Sequence, residues 1–540
     1  MNEKMKNEII GHGTWLDKIA YELLNRERRI GRRSDIIKTE SGLGASGLPH
    51  VGSFSDCARS YGIKLALEEF GAKSEYIAFS DDKDGLRKVP EGMPKSLKKF
   101  LGFPVTSIPD PFKCHTSFGD HVSSLLIDAM DKSGIEYTFY SATEAYRKGL
   151  FNNQIESILL NSEKIGKIIH DELGQEKYVE MLPYFPVCEN CGRIYTTTTQ
   201  EFFLDEKKIS YVCDGMKLHD QRIEGCKHKG EVNITKGEGK LSWKVEFAAR
   251  WDALEINFEA YGKDIADSVR VNDRICKEIL NYEPPMHVRY EMFLDRGGKK
   301  ISKSKGNVFT PQVWLKYGSP QSLLLLMFKR ITGTRTISSS EIPKYMDEID
   351  ELEQVFFDKK KIKDKKELAK LKGLFLYSWL LKPPANPRVY VPYNLLVYLS
   401  RVAPKDRIED FIIDKLRIYD YIKDSPSKGI IHKINYAINW STDFQQIEKV
   451  EISLSPNEKN AINELIETMQ MEVDEEKIQY SIFELAKKHD ILPKNFFRVL
   501  YTILLGVPQG PRLGSYIKTM GKELVLNSLK EVLKSYKEKQ

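Results

Sequence analysis

The chain has 540 residues, too many for one hydrophobic core, so three or four domains are expected. Hydrophobic residues make up 41% and charged residues 30%, the balance of a globular protein, and no apolar run reaches membrane-spanning length, the longest clean one being Leu323 to Phe328. With 83 basic against 77 acidic side chains, the net charge of +6 gives no argument for nucleic-acid binding from bulk charge, so local clusters must carry any such reading.

The first ten residues carry charges where a signal peptide needs an apolar stretch. Seven cysteines, four of them between Cys188 and Cys226, suit a metal site in a reducing compartment better than a disulfide framework, so the expected location is the cytoplasm. Trp15, Ile19 and Leu23 recur at helical spacing and are followed by a basic stretch, Arg26 to Arg33, of the kind that usually covers a solvated face. Ile36-Ile37 is a short strand candidate. The glycine-rich segment Lys38 to Phe54 comes next, and a helical period runs from Asp56 to Phe70. A glycine-rich strand-to-helix junction is where doubly wound sheets bind nucleotides, because glycine lets the backbone approach and the helix N-terminus favours anions. The segment fits neither the dinucleotide fingerprint nor the phosphate loop ending in Gly-Lys-Ser/Thr.

A second strand, Glu75 to Ser80, runs into Asp81-Asp-Lys-Asp84, acidic residues at the ligand-binding edge of a parallel sheet or in an ordinary turn. Phe118 to Met130 reads as a helix, Tyr137 to Tyr140 as a third strand and Asn153 to Glu172 as one long helical pattern. From about 181 to 245 the chain is cysteine-rich. Cys188-x2-Cys191-Gly is a zinc half-site, completed by Cys226 and by either Cys213 or His228; two unrelated pairs of buried thiols are the alternative. Such a closed site would stabilise an insertion too short for its own core. Strands return at Ile256 to Phe258 and at His287 to Leu294, the latter feeding Gly297 to Asn307, a turn with four lysines and two serines that alone would pass for a solvated loop. Helices follow from Pro311 to Arg330, and Ser338 to Glu341 caps another through Tyr345 to Phe357. The lysine-rich run Asp358 to Lys372 precedes a helical remainder broken at Lys382 to Pro387.

Strand, then Ser46-Gly-Leu-Pro-His50-Val-Gly52, then helix resembles the HIGH signature of class I aminoacyl-tRNA synthetases, and Lys300-Ile-Ser-Lys303-Ser304 resembles their KMSKS signature with Ile in place of Met. Thr39 to Phe54, Phe79 to Pro90, Lys244 to Trp251 and Gly262-Lys-Asp264 are most similar to the class I lysyl-tRNA synthetase family. The resemblance implies a Rossmann-type, doubly wound parallel α/β sheet as catalytic domain, interrupted by a zinc-binding insertion and followed by an all-α anticodon-binding region. The boundaries expected are 1–180 and 246–310 for the two catalytic halves, 181–245 for the insertion, 311–372 for a helical connector and 373–540 for the anticodon-binding part.

The chemistry implied is activation of lysine by ATP, carried with Mg2+, to lysyl-adenylate, then transfer to the 2'-hydroxyl of the terminal adenosine of tRNA(Lys). His50, Lys300, Lys303 and Ser304 would be catalytic, with Ser46, Gly47, His50, Gly52, Gly262, Asp264 and Lys303 on ATP. Gly42, Asp81, Asp84 and Trp251 would be on the lysine, with Asp264 a further candidate there. Cys188, Cys191, Cys213 and Cys226 would hold the zinc. Two positions depart from the family pattern: Ser53 stands where the signature ends in His, and Ile265 follows Gly-Lys-Asp where the family carries His. A tRNA partner makes phosphate contact the favoured role of the 358–372 lysines. Phe496, Phe497 and Gly506 to Gly514 are candidates for base contact, against plain packing or a turn. A glutamyl or cysteinyl enzyme of the class, and a non-catalytic tRNA-binding paralogue, remain alternatives at this point.

Overall fold

The computed structural model describes residues 9–32, 35–45, 47–176, 178, 181–218, 221–291, 293–294, 309–444, 453–471, 474–505, 510 and 512–537. Its contacts divide into two compact units: 1–312 with 323–338 and 360–383, and 313–322 with 339–359 and 384–540.

The first unit opens with α1 (Trp15–Arg29), started by a capping box between Thr14 and Asp17. Its buried stripe is Leu16, Ala20 and Leu23, so Trp15 and Ile19 flank the stripe instead of leading it. The Trp15 indole instead donates to the Phe328 carbonyl at 2.7 Å. The strand β1 (Ile37–Leu43) leads through the glycine segment to α2 (Val51–Glu69), and β2 (Ser74–Ser80) pairs parallel with β1 over all seven residues. The helix α3 (Phe118–Ser133), capped by Ser117 and ended by left-handed Gly134, returns the chain to β3 (Thr138–Ser141). The short α4 (Ala142–Arg147) follows, and the single helix expected over 153–172 is two, α5 (Asn152–Leu160) and α6 (Ser162–Leu173), broken at Asn161.

The insertion then leaves and re-enters at one place, because β4 (Tyr184–Pro186) pairs antiparallel with a strand 53 residues further on. Between them lie β5 (Thr197–Phe203), β6 (Lys208–Cys213), the hairpin β7 (Gly215–Leu218) and β8 (Gln221–Glu224), and β9 (Lys229–Asn233), before β10 (Gly239–Leu241) closes on β4. The helix α7 (Trp243–Leu254), capped by Ser242, carries the chain back to β11 (Phe258–Gly262), and α8 (Ala266–Glu278) leads to β12 (Met286–Tyr290). The sheet order is β12-β11-β1-β2-β3 with every pair parallel, so a sheet begun near residue 37 is completed beyond the insertion. The strand expected over 287–294 is divided: β13 (Phe293–Leu294) leaves the sheet and pairs parallel with a two-residue strand at 335.

Next come α9 (Pro311–Tyr317), α10 (Pro320–Phe328) and that strand, β14 (Arg335–Thr336). The cap expected at Ser338 to Glu341 is a single turn, Ser339–Glu341, with no side-chain cap bond before α11 (Ile342–Phe356). The helix α12 (Lys365–Ser378) belongs to the first unit, and the lysines before it at 359–361 and 363 lie half-exposed or exposed.

The second unit is helical: α13 (Tyr393–Val402), α14 (Ile408–Ile418), α15 (Lys428–Asp443), α16 (Pro456–Met471), α17 (Glu475–Lys488), α18 (Pro493–Leu505), α19 (Leu513–Met520) and α20 (Lys522–Lys537). Buried Asp347 accepts from the Tyr393 backbone at 2.8 Å, and Glu353 holds the Arg388 guanidinium at 2.8 Å. Phe496 is in this unit's core, and Phe497 is half-buried against Phe483 and Tyr501. Among the described residues no helix is long and apolar enough to cross a membrane.

One buried group ties α12 to α1. The Asp17 carboxylate, fully buried, takes the Thr14 cap on one oxygen and the Tyr377 hydroxyl on the other at 2.7 Å. Tyr377→Phe would leave that oxygen short of a donor, so it is expected to lower stability by about 2 kcal/mol in a denaturant titration.

Candidate active site

The carboxyl ends of β1, β2 and β11 open into a cleft of about 260 Å³. Open parallel sheets bind ligands at this edge because strand ends and helix starts converge there. Gly42 and Asp81 form its floor, His50 and Gly52 one wall, and Gly262 and Asp264 another.

His50 is the N-cap of α2, with its Nδ1 accepting from the backbone N–H groups of Gly52 at 3.0 Å and Ser53 at 3.3 Å. An accepting Nδ1 puts the proton of the neutral ring on Nε2, which makes that edge a donor. Imidazole replaces the usual hydroxyl or carboxylate cap, and this moves the helix start to Val51, five residues before the expected Asp56. Gly52 is required for the ring itself, since a Cβ there would meet His50 Cε1 at 2.7 Å. The Val51 N–H donates to the Phe309 carbonyl at 2.8 Å, so the first turn's N–H groups are already engaged. What the helix start can offer an anion is therefore its dipole and the His50 ring more than open amides.

The floor is a buried charge cluster. Arg250 of α7, 1% exposed, places Nε 2.5 Å from Glu40, Nη1 3.1 Å from Asp81 and Nη2 3.6 Å from Glu259, with Phe79 and Phe247 on its faces. Three carboxylates face one guanidinium, and loss of solvent works against their charge. Burial pushes Glu40 up to about 8 and Asp81 up to about 7, opposed in each case by Arg250. Arg250 itself is held above its ordinary value by the three acids, although burial opposes its charge. Gly42 sits on this cluster, where an added Cβ would lie 3.5 Å from Asp81 Oδ2.

Trp251 is fully buried behind the cleft, where its indole donates to Glu259 at 2.5 Å; the tryptophan that lines the cleft is Trp243, with Phe247. Asp84 faces away from the cleft and binds buried Lys240 at 2.5 Å, which also reaches Glu246 at 2.7 Å. Burial opposes the charge of Lys240, but Asp84 and Glu246 raise it above the ordinary lysine value, so this triad anchors the insertion's closing strand to the sheet edge. Gly47 is buried and is not among the lining residues. Ser46, Lys300, Lys303 and Ser304 lie outside the described residues, but Phe293 on one side of that loop lines the cleft and Phe309 on the other is bonded to α2. Ser53 and Ile265, the two departures from the family pattern, both line the cleft.

In the insertion, the sulfurs of Cys188, Cys191, Cys213 and Cys226 lie within 4.8 Å of one another, with Cys188–Cys226 at 3.6 Å and Cys191–Cys213 at 3.7 Å. Four thiolates tetrahedrally disposed about zinc, with arms of about 2.3 Å, stand about 3.8 Å apart, so the set fits that ion. His228 is occupied elsewhere, with Nε2 2.6 Å from Glu189, and Cys213 is the fourth member of the cluster. Gly192 takes the left-handed turn after Cys191 at φ 73°.

Sequence reading missed Arg250 and Glu40, whose signal is a charge at a position that helical or strand periodicity buries. It also missed Asp110, Cys114, His115 and His121, whose ligand atoms lie within 4.8 Å of one another. Desolvation works against the charge of Asp110, but the backbone N–H groups of Phe112 at 3.1 Å, Cys114 at 2.8 Å and His115 at 2.9 Å donate to its carboxylate and bring it down to about 2. The spacing Asp-x3-Cys-His-x5-His could have shown this donor set, which suits a divalent metal.

Residues 13–374 match the family described as tRNA synthetases class I (K), and residues 430–533 match an anticodon binding domain. The chain is 48% identical over 523 residues to a lysine–tRNA ligase of Cenarchaeum symbiosum (strain A), covering 97% of this chain and 99% of that one. It is 32% identical over 505 residues to a lysine–tRNA ligase of Rickettsia bellii (strain OSU 85-389), covering 92% and 93%. It is 31% identical over 511 residues to one of Rickettsia typhi, covering 92% of each.

Cys213→Ser is expected to remove one equivalent of zinc per chain by atomic absorption, and His228→Ala none. Arg250→Leu would strand buried carboxylates and should lower stability by about 3 to 5 kcal/mol in a denaturant titration.

Proposed function

The chain belongs to the class I (K) tRNA synthetases, and we propose that it joins lysine to tRNA(Lys) through a lysyl-adenylate made from ATP. The observation that carries the choice of amino acid is the acid-rich lining of the cleft. Among the described lining residues five are acidic, Asp56, Asp81, Glu259, Asp264 and Glu291, and the one cation, Arg250, is already held by three carboxylates. A glutamate side chain would meet like charge there, whereas the lysine ammonium meets Asp81 and Glu259, with Trp243 and Phe247 beside its methylenes.

Lysine bound this way turns its carboxylate toward the nucleotide wall. One carboxylate oxygen attacks the α-phosphorus of ATP in line, and pyrophosphate leaves with its electron pair. Charge grows on the phosphate oxygens, where the His50 Nε2–H and the N-terminus of α2 are in position to offset it. Lys300, Lys303 and Ser304 hold the departing pyrophosphate in this reading, supported by Phe293 at the cleft and by the Phe309 carbonyl bonded to the first turn of α2. Magnesium enters with ATP as part of the substrate. The 2'-hydroxyl of the terminal adenosine then attacks the carbonyl carbon, and AMP leaves. The four-cysteine cluster takes zinc in a structural role, and the 358–372 lysines approach tRNA phosphates. We place the protein in the reducing cytoplasm, where such thiols persist.

Pyrophosphate exchange with each amino acid, with and without tRNA, tests the reading: exchange with lysine is expected, and exchange with glutamate alone would overturn it. Lys303→Ala is expected to slow adenylate formation about a hundredfold in single-turnover measurements with lysine affinity little changed. Asp81 and Glu40 hold protons near neutrality in the empty cleft, and an approaching ammonium expels one. Lysine affinity should therefore rise from about pH 6 to about pH 8 and then level off, and Asp81→Asn should flatten the profile in calorimetric titrations. Without lysine the sign reverses. These two folded-state values stand above the unfolded carboxylate range, so the stability they contribute below about pH 4 is lost as pH rises through 7 and 8.

A further inference from the structure

Arg59, two turns into α2, is 1% exposed, and its Nε and Nη1 are shielded from solvent with no hydrogen-bond partner. Its guanidinium lies over the Tyr290 ring, 4.1 Å from the centroid. Tyr290 ends β12 and lines the cleft beside Gly262, where an added Cβ would stand 3.7 Å from the tyrosine Cε2. A second guanidinium acts on the first: Arg335 lies over the Phe293 ring at 4.8 Å, donates to the neutral Leu326 carbonyl and repels Arg59. Burial foremost, and then this like charge, lowers Arg59 to about 9, with Asp56 opposing, so the group stays charged at neutral pH.

A buried charge whose donors lack partners costs stability, and a methionine of similar length would fill the same space without that cost. Such a group points to a site it serves. The cleft lining shows what it can serve. Acids suit an ammonium but work against a polyanion, and among the described residues the one lining cation, Arg250, is already held by three carboxylates. Positive charge for a polyphosphate must then also come from behind the wall, where a low dielectric lets it act across the thickness of a ring. We infer that Arg59 is a positioning residue for ATP: it fixes the Tyr290 ring as the back of the nucleotide site, and its charge, seconded by Arg335, offsets the acid-rich lining. This role rests on the ATP-dependent reaction proposed above.

Calorimetric titration of the full chain with ATP and magnesium, and separately with lysine, tests this on the wild type and three variants. Arg59→Met and Arg59→Gln, neither of which carries a charge, are each expected to weaken ATP binding about tenfold while lysine affinity changes by less than about twofold. Arg59→Lys keeps a cation over the ring and is expected to hold ATP affinity within about threefold of the wild type. The midpoint of denaturant unfolding should stay or rise in Arg59→Met, which separates service to a ligand from service to the fold. Unchanged ATP affinity in both neutral variants, or a loss shared equally by ATP and lysine and not restored by Arg59→Lys, would overturn the role. A wild type that binds ATP but no lysine sinks the lysine assignment and leaves Arg59 to be judged on ATP alone. A wild type that binds both, with Arg59→Met binding ATP as tightly, sinks this role alone.

Discussion

The catalytic unit depends on one buried cation. Arg250 reaches Glu40 of β1, Asp81 at the end of β2 and Glu259 of β11, three strands adjacent in the sheet, from a helix that packs over them. Such a cluster offers little as a source of stability, since desolvating four charges costs about what their attraction returns. Its value is positional. The guanidinium gathers three acids at one end of the sheet, two of which burial keeps from ionising readily. Glu259 is steadied further by the Trp251 indole, so a tryptophan behind the cleft still bears on what the cleft holds.

Local pattern carried much of the fold. Strands β2 and β3 and helix α3 lie close to where periodicity puts them, because each is specified locally, whereas β1 runs on through Leu43 into the stretch expected as the glycine segment. The single helix expected over 153–172 failed at Asn161, where no glycine or proline marks the break. The cluster around Arg250 was not legible for a different reason: residues 40, 81, 250 and 259 meet only through the strand order β11-β1-β2, which no spacing along the chain encodes. Asp81 and Asp84 looked interchangeable in the sequence. The turn that bonds the Asp84 N–H to the Asp81 carbonyl at 3.1 Å sends one to Arg250 and the other to Lys240. Trp251, named from the sequence for the lysine, is buried behind the cleft, and Trp243, two turns earlier on the same helix, lines it instead.

The insertion shows how a small module can be both self-sufficient and tethered. Its strands are short, and its four sulfurs stand at the spacing of a zinc cross-link, which could supply what so little apolar surface cannot. The antiparallel pairing of β4 with β10 confines its attachment to one point, and the Lys240 triad grips the sheet there through charge. Its hairpin therefore lies between the cysteine cluster on one side and the attachment to the sheet on the other.

The divided sheet also has a consequence for how the chain is made. β1 lies in the middle of the finished sheet, yet its neighbour β11 is encoded 215 residues after β1 ends. At about 5 to 20 residues per second, synthesis leaves one edge of β1 without its partner for on the order of 10 to 40 s. Thr39 and Glu40, the two residues that β11 will cover, are a threonine and an acid and not a greasy pair, and a charge at an open edge discourages pairing with the wrong strand. The acid that later serves the Arg250 cluster thus guards the nascent sheet until β11 emerges from the ribosome.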